Sequence, residues 1–269
     1  MYWFLGGDSR SPWAVKYLQQ KGLEVHCCHV PGLPHEELPD HIPRLILPAP
    51  SVKNGRIPGC EDFLIEALGS KLSPNSRVYC MKAGALAREL IKSGAQVTDL
   101  YDTEPYTTRN AMATAEGAVF LAMGNTLGTL EGSACLVIGA GRIGTLLSEK
   151  LSALGAKVTL CARKAKDRAL AEARTWATDE TGVYRKGLSS YDILFNTVPA
   201  AVLDGEQVKQ VNKNCLLIEL ASAPGGFDPA ICKDLGLQVL CAQGLPGSYC
   251  PKAAGEYYAS AILEQEGFL

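Results

Sequence analysis

A chain of 269 residues, 47% of them apolar, is long enough for one large or two ordinary domains with sizeable cores. A formal net charge of −2 with 20% charged residues offers no basic surface for nucleic acid or an anionic membrane. The chain opens directly on Tyr2-Trp3-Phe4-Leu5 without a basic lead-in, so no signal peptide is expected, and its longest apolar stretch, Ala111 to Met123, is too short to span a bilayer and holds Glu116.

In chain order, Tyr2–Leu5 reads as a strand and Gly6-Gly7-Asp8-Ser9-Arg10 as a turn into a helix running through Leu18 to Gly22. Leu23–Val30 and Arg44–Leu47 follow as strands, set in a proline-rich loop from Pro31 to Pro50. Glu61–Leu68 is expected as a helix, Arg77–Met81 as a strand, Ala83–Lys92 as a helix and Gln96–Leu100 as a strand. This alternation predicts a parallel sheet covered by helices on both faces. Asn110 to Met123, rich in alanine and glycine, reads as a buried connecting helix.

The most specific stretch runs from Ala134 to Arg163. The strand Cys135–Ile138 enters Gly139-Ala140-Gly141-Arg142-Ile143-Gly144, an amphipathic helix continues to about Leu154, and a second strand spans Val158–Cys161. Strand, G-x-G-x-x-G, helix and strand in this order form the dinucleotide-binding fingerprint. Gly139 allows the tight turn, Gly141 the approach of backbone to a pyrophosphate and Gly144 close packing of helix on strand, while the helix N-terminus faces the phosphates. An NAD-specific site carries Asp or Glu at the end of the second strand. Here Cys161-Ala162-Arg163-Lys164 supplies two cations instead, which predicts NADP rather than NAD. Beyond this unit a helix is expected over Ala165–Trp176, strands at Ile193–Phe195, Leu216–Leu220 and Gln238–Leu240, and a last helix around Tyr257–Leu263.

The predicted fold is therefore α/β, with two Rossmann-like doubly wound parallel-sheet domains and a cleft between them. Residues 1–108 form a flavodoxin- or Rossmann-like substrate domain. Residues 109–251 form the NADP-binding domain with its connecting helix, and a helix within 252–269 packs back on the first domain. Ligands in open α/β sheets sit beyond the carboxyl ends of the strands. That rule selects Asp8, Arg10, Ser51, Lys82 and Tyr101–Glu104 from the first domain, and Thr197, Ser222, Gln243, Tyr249 and Lys252 from the rest.

Ten cysteines are present, seven of them within apolar strand-like runs (Cys27, Cys28, Cys80, Cys135, Cys161, Cys215 and Cys241), and no C-x-x-C occurs. They read as small apolar residues in a reducing, cytoplasmic compartment. His26-Cys27-Cys28-His29 has the look of a metal box. On a strand, however, successive side chains alternate faces, so these four do not converge on one ion and no metal is expected. All four histidines lie in the first 41 residues. The nucleotide domain thus lacks the histidine acid/base of a D-2-hydroxyacid dehydrogenase, whose layout is otherwise similar.

Several blocks resemble the dipicolinate synthase A-subunit family. They are Gly6-Gly7-Asp8-x-Arg10, Glu116-Gly117, Thr126-x-x-Thr129-x-x-Gly132-Ser133, the fingerprint itself, Cys161-Ala162-Arg163 and Asn196-Thr197-Val198-Pro199. The two most specific are Leu220-Ala221-Ser222-Ala223-Pro224-Gly225-Gly226-Phe227-Asp228 and Gly244-Leu245-Pro246-Gly247-x-x-x-Pro251-Lys252-x-Ala254-Gly255. The resemblance covers essentially the whole chain. It implies NADP-linked oxidation of a dihydrodipicolinate-type ring to pyridine-2,6-dicarboxylate. It also implies a small, flavoprotein-like second subunit, together with a place in the mother cell of spore-forming bacteria. Two positions depart from the family's pattern, Glu131 where His is common and Ala223 where Arg is common.

A dicarboxylate substrate calls for cationic donors, most naturally arginine. Arg10 either clamps a carboxylate or points to solvent from the start of its helix. Asp8 is either an acid or a partner for the N–H groups of that helix. Lys252 reads as substrate clamp or proton donor, or as a surface lysine at a helix start, and Glu131 as a local cap. Arg142, Ile143, Arg163 and Lys164, together with Thr197, Val198, Pro199, Ala221 and Ser222, are expected to line the cofactor beside the three glycines. A small dicarboxylate is the expected substrate, and a homo-oligomer is compatible with the chain. Two other readings stay open: an NADP-binding sensor or scaffold protein without chemistry, and a dehydrogenase of another small acid.

Overall fold

The structure, a computed structural model, describes residues 1–60, 63 and 65–268. Two compact units divide the chain, Met1–Asn110 with Pro246–Leu269, and Ala111–Leu245.

In the first unit β1 (Tyr2–Leu5) turns into α1 (Ser11–Gln20), followed by β2 (Val25–Cys28), β3 (Arg44–Ile46), α2 (Ile65–Gly69), β4 (Arg77–Cys80), α3 (Ala85–Lys92) and β5 (Gln96–Asp99). The strands are all parallel, in the order β2-β1-β3-β4-β5. Alternation along β1 shows why both faces must be covered. Tyr2 and Phe4 enter one apolar cluster with Ala14 and Leu18 of α1, while Trp3 and Leu5 enter the opposite one with Leu86 and Leu90 of α3.

The chain continues through α4 (Glu104–Asn125) to β6 (Ala134–Ile138), α5 (Arg142–Ala153), β7 (Lys157–Cys161), α6 (Ala165–Glu172), β8 (Ala177–Asp179) and β9 (Ile193–Asn196). Then come α7 (Gly205–Val208), β10 (Leu216–Glu219), α8 (Pro229–Asp234), β11 (Gln238–Cys241), α9 (Leu245–Tyr249) and α10 (Pro251–Glu266). The second sheet is also wholly parallel, in the order β11-β10-β9-β6-β7-β8. Read from its other edge this is the strand order of a dinucleotide-binding fold, and the first sheet has the flavodoxin order. The α/β class with two doubly wound parallel sheets is thus observed.

Within the first unit α10 packs along α1. Ala259, Ile262 and Leu263 enter the cluster that holds Ala14 and Leu18, and the Tyr258 hydroxyl donates to Leu47 O at 2.6 Å. The far end of α10 is pinned by Glu266. It accepts from Arg44 Nε at 2.8 Å, Arg77 Nη1 at 3.1 Å and the Tyr79 hydroxyl at 2.5 Å.

Some elements differ from the expectation. The helix expected from Ala165 to Trp176 ends at Glu172 because Thr175 takes a left-handed turn (φ 64°) into β8, a strand with no marked apolar run. α4 begins at Glu104 instead of Asn110, and α10 begins at Pro251, where proline suits the first helical turn. Of the helix expected over Glu61–Leu68, Glu61, Asp62 and Leu64 lie outside the described residues. All ten cysteines are free thiols, and Cys241 on the edge strand β11 is exposed rather than buried. Among the described residues no helix is long and apolar enough to cross a membrane.

Candidate functional site

In each sheet the strand order reverses at one place, and that switch point is where α/β sheets bind ligands. In the second unit it lies between β6 and β9. Gly139 takes φ 107°, open to glycine, and its N–H donates to Cys161 O at 2.8 Å. A Cβ at Gly144 would overlap the Gly139 carbonyl oxygen, so α5 can press this close to β6 only without a side chain. At Gly141 a Cβ would meet nothing within 4 Å. Gly141 N-caps α5 without a side-chain cap. Open space before the N–H end of a 12-residue helix is the surrounding a pyrophosphate needs. Arg142 is exposed beside it and Ile143 is half-buried.

Thr197 bridges the switch point. Its backbone N–H and its hydroxyl both donate to Ile138 O, each at 2.9 Å. Val198 is half-buried and Pro199 exposed on the same loop. After β7, Arg163 and Lys164 are exposed and make no side-chain hydrogen bond or ion pair among the described residues. Arg168 braces this corner, its Nη1 donating to Ala162 O at 2.7 Å and Arg163 O at 2.8 Å. Asp179, paired in register with Cys161, is the acid on the neighbouring strand. It is buried and accepts from the N–H groups of Glu180 and Arg185.

Buried polar groups join the next two strand ends. Asn196 Nδ2 donates to Glu219 Oε1 and to Val198 O, both at 2.8 Å. Glu219 also accepts from Ala221 N at 2.9 Å, Gly226 N at 2.6 Å and Phe227 N at 3.3 Å. One carboxylate therefore shapes the whole loop that carries buried Ala221 and exposed Ser222 and Ala223. Asn196 and Glu219 were visible in the sequence only as strand-end residues; an acid closing the apolar run Leu-Leu-Ile was the available signal.

The first unit's switch point lies between β1 and β3. Arg10 folds back over it. Its Nε donates to Asp8 Oδ1 at 3.0 Å, and its Nη2 to Asp8 Oδ2 at 2.6 Å and to Ala49 O after β3. Asp8 Oδ1 also accepts from Arg10 N at 3.0 Å. Arg10 Nη1 has no hydrogen bond among the described residues. The Arg10 side chain is 13% exposed and that of Asp8 41%, so Arg10 does not point to solvent. Tyr106, buried within the electrostatic reach of both, has its hydroxyl pushed up to about 12 by burial and stays protonated. Ser9 Oγ donates to Gly247 O at 2.6 Å, tying α9 to the same turn. Ser51 is fully buried, accepting from Met81 N at 2.7 Å. Lys82 stacks its ammonium 4.1 Å above the Tyr101 ring.

Lys252 stands in a different setting. It is exposed at the start of α10, with its ammonium 5.8 Å from the Trp13 ring centre, in a groove lined also by Lys16, Tyr17 and Glu256. Glu131 is exposed and its side chain lies against Gly155. The four residues His26–His29 do not converge: Cys27 and Cys28 enter clusters on opposite sheet faces, and His26 pairs with Glu36 at 2.8 Å and Glu24 at 3.2 Å.

The second sheet, with a bare glycine turn at its switch point, defines an NAD(P)-binding domain of the oxidoreductase type. Residues 127–226 match the family model "Putative NAD(P)-binding". The whole chain is similar to the dipicolinate synthase A-subunit of Bacillus subtilis (strain 168), with 26% identity over 276 residues, which cover 96% of this chain and 93% of that protein. The solved structure of the dipicolinate synthase A-subunit from Bacillus halodurans superposes with a TM-score of 0.89 at 24% identity, covering 98% of this chain and 96% of that one. A D-lactate dehydrogenase from Treponema pallidum shares the fold at a TM-score of 0.62 and 14% identity, covering 99% and 97%. The resemblance read from the sequence blocks is thus matched in sequence and in fold.

Proposed function

We propose that this chain is an NADP-dependent oxidoreductase that converts a dihydrodipicolinate-type cyclic dicarboxylate into pyridine-2,6-dicarboxylate. The open, uncapped glycine turn at the β6/β9 switch point carries the reading, together with the chain-long similarity to the Bacillus subtilis dipicolinate synthase A-subunit. Exposed Arg163 and Lys164 supply the cations a 2′-phosphate would need. Asp179 is already committed to backbone N–H groups and offers no carboxylate for a ribose 2′-OH, so NADP is favoured over NAD.

Aromatisation removes one hydride and one proton from the substrate ring. A bound nicotinamide accepts the hydride, and the chain must hold the carboxylates and receive the proton. Arg10 keeps Nη1 for a substrate carboxylate while its other edge fixes Asp8. Asp8, the more exposed of the two, is then the proton acceptor. Gly139, Gly141, Gly144, Thr197–Pro199, Ala221 and Ser222 form the nicotinamide and phosphate surround in this proposal. A flavoprotein-like second subunit is its partner, and spore formation its setting, by analogy with the Bacillus subtilis relative.

The chain, alone and with the flavoprotein-like partner, is mixed with NADP⁺ and freshly generated dihydrodipicolinate. Formation of NADPH and dipicolinate in equal amounts is expected. NADP⁺ binding without product under either condition would overturn the substrate assignment and leave a sensor protein or a dehydrogenase of another acid.

A further inference from the structure

Just past the end of β2 the chain turns back on itself. His29 takes a left-handed conformation (φ 55°), and the following loop returns alongside the strand, with Glu36 N–H donating to Cys27 O at 2.8 Å. The return sets His35 against His29, ring centres 4.2 Å apart. One ligand atom each from Cys28, His29 and His35 lies within 4.8 Å of the others. Sequence alternation correctly separates Cys27 from Cys28, but it does not foresee His29 leaving the strand or His35 joining from the loop.

We propose that Cys28 Sγ, His29 and His35 form a three-ligand site for a single zinc-class divalent ion, independent of the nucleotide site. One thiolate and two imidazoles match the borderline-soft ligand preference of Zn²⁺ and disfavour Mg²⁺ or Ca²⁺, which require oxygen. Tetrahedral coordination places ligand atoms roughly 3.3–3.8 Å apart. Contraction from the observed spacing needs only rotation of two imidazoles, both of which are exposed, about a buried sulfur.

The surroundings support this assignment. His35 Nε2 lies 3.3 Å from Glu37 Oε1, the carboxylate–histidine arrangement that orients a metal-bound imidazole. That leaves Nδ1 for the metal, where it now receives only a long 3.3 Å bond from His29 N. The Leu38 N–H reaches the Cys28 sulfur. The fourth coordination position faces solvent. Cys28 O also accepts from Gly6 N at 2.8 Å, so the ion would fasten the β2 loop beside the turn that holds Asp8 and Arg10.

The test uses the full chain without any histidine tag, titrated with Zn²⁺ and with Co²⁺ as a spectroscopic substitute. One ion per chain is expected, with a sulfur-to-cobalt charge-transfer band. His35→Ala, a change at an exposed side chain, should weaken binding at least about tenfold, and Glu37→Gln should weaken it about tenfold. Cys28→Ser should abolish the band, and Cys241→Ser should leave it intact. Absence of the band in the unaltered chain, or a band unaffected by His35→Ala, would overturn the proposal even if Cys28→Ser did not fold.

Discussion

The side-chain amide of Asn196 donates to Glu219 Oε1 at 2.8 Å, with both residues buried. Through this bond the loop after β9 and the loop after β10 share one carboxylate. Replacing Glu219 by alanine leaves the amide of Asn196 and three backbone N–H groups without their acceptor. Glu219→Ala should therefore destabilise the chain by about 3 kcal/mol in chemical denaturation. Glu219→Gln should fall between the two, since its amide nitrogen must face a donor.

The three fingerprint glycines should respond differently to alanine. Gly144→Ala forces a Cβ into the Gly139 carbonyl, so a loss of roughly 2 kcal/mol of stability is expected. Gly141→Ala enters open space at a φ of −79° and should shift stability by less than about 0.5 kcal/mol. Its effect should fall on the cofactor, with NADP⁺ affinity down about tenfold, equivalent to ~1.4 kcal/mol. Thermal melts beside ligand titrations separate the two outcomes.

Glu266 predicts a pH dependence. Burial alone would raise its carboxyl, but hydrogen bonds from Arg44 and Tyr79 and the charges of Arg44 and Arg77 outweigh burial and hold it below the ordinary range. A carboxyl more acidic in the folded chain than in the unfolded one adds stability above the unfolded value of about 4.3. That contribution is lost as pH falls through the lower folded value. Because both arginines are partly exposed, Glu266→Gln should lower stability by only about 1 kcal/mol at neutral pH. The difference should shrink below about pH 4. A difference that persists in acid would show that the carboxylate charge is not what pins α10.

Arg10 and Lys252 make a discriminating pair. Arg10 spans the first sheet's switch point, whereas the Lys252 ammonium lies over Trp13. Arg10→Ala should reduce kcat/KM for the dicarboxylate about 100-fold, the equivalent of one charge-assisted contact of ~3 kcal/mol. NADP⁺ affinity should be unchanged. Lys252→Ala should have a smaller effect on the same ratio. The reverse order, read from steady-state rates, would move the carboxylate site to the start of α10.

Much of this was legible in the sequence because local pattern and tertiary role coincide there. Cys135–Ile138 is apolar on both faces because β6 is central and covered twice, and the glycines of the next turn have no other use for their spacing. What the sequence did not display depends on partners distant in the chain. Arg10 looks like a solvent or substrate residue until Ala49 O is seen beneath it, and the structural role of Glu219 depends on a loop seven residues on. β8 escaped notice because three residues, Ala177–Asp179, carry too little apolar signal. The His29 turn hid for a related reason: no local feature marks where a strand stops.

The most direct test is calorimetric titration of the chain with NADP⁺ and NAD⁺, repeated with Arg163→Ala and Lys164→Ala. NADP⁺ should bind at one site per chain and at least about tenfold tighter than NAD⁺, with each substitution removing most of that preference through lost phosphate contacts of ~1.5 kcal/mol or more. Tighter binding of NAD⁺, or no binding of either nucleotide, would contradict the assignment of the β6–α5 turn and the β7 corner as an NADP site.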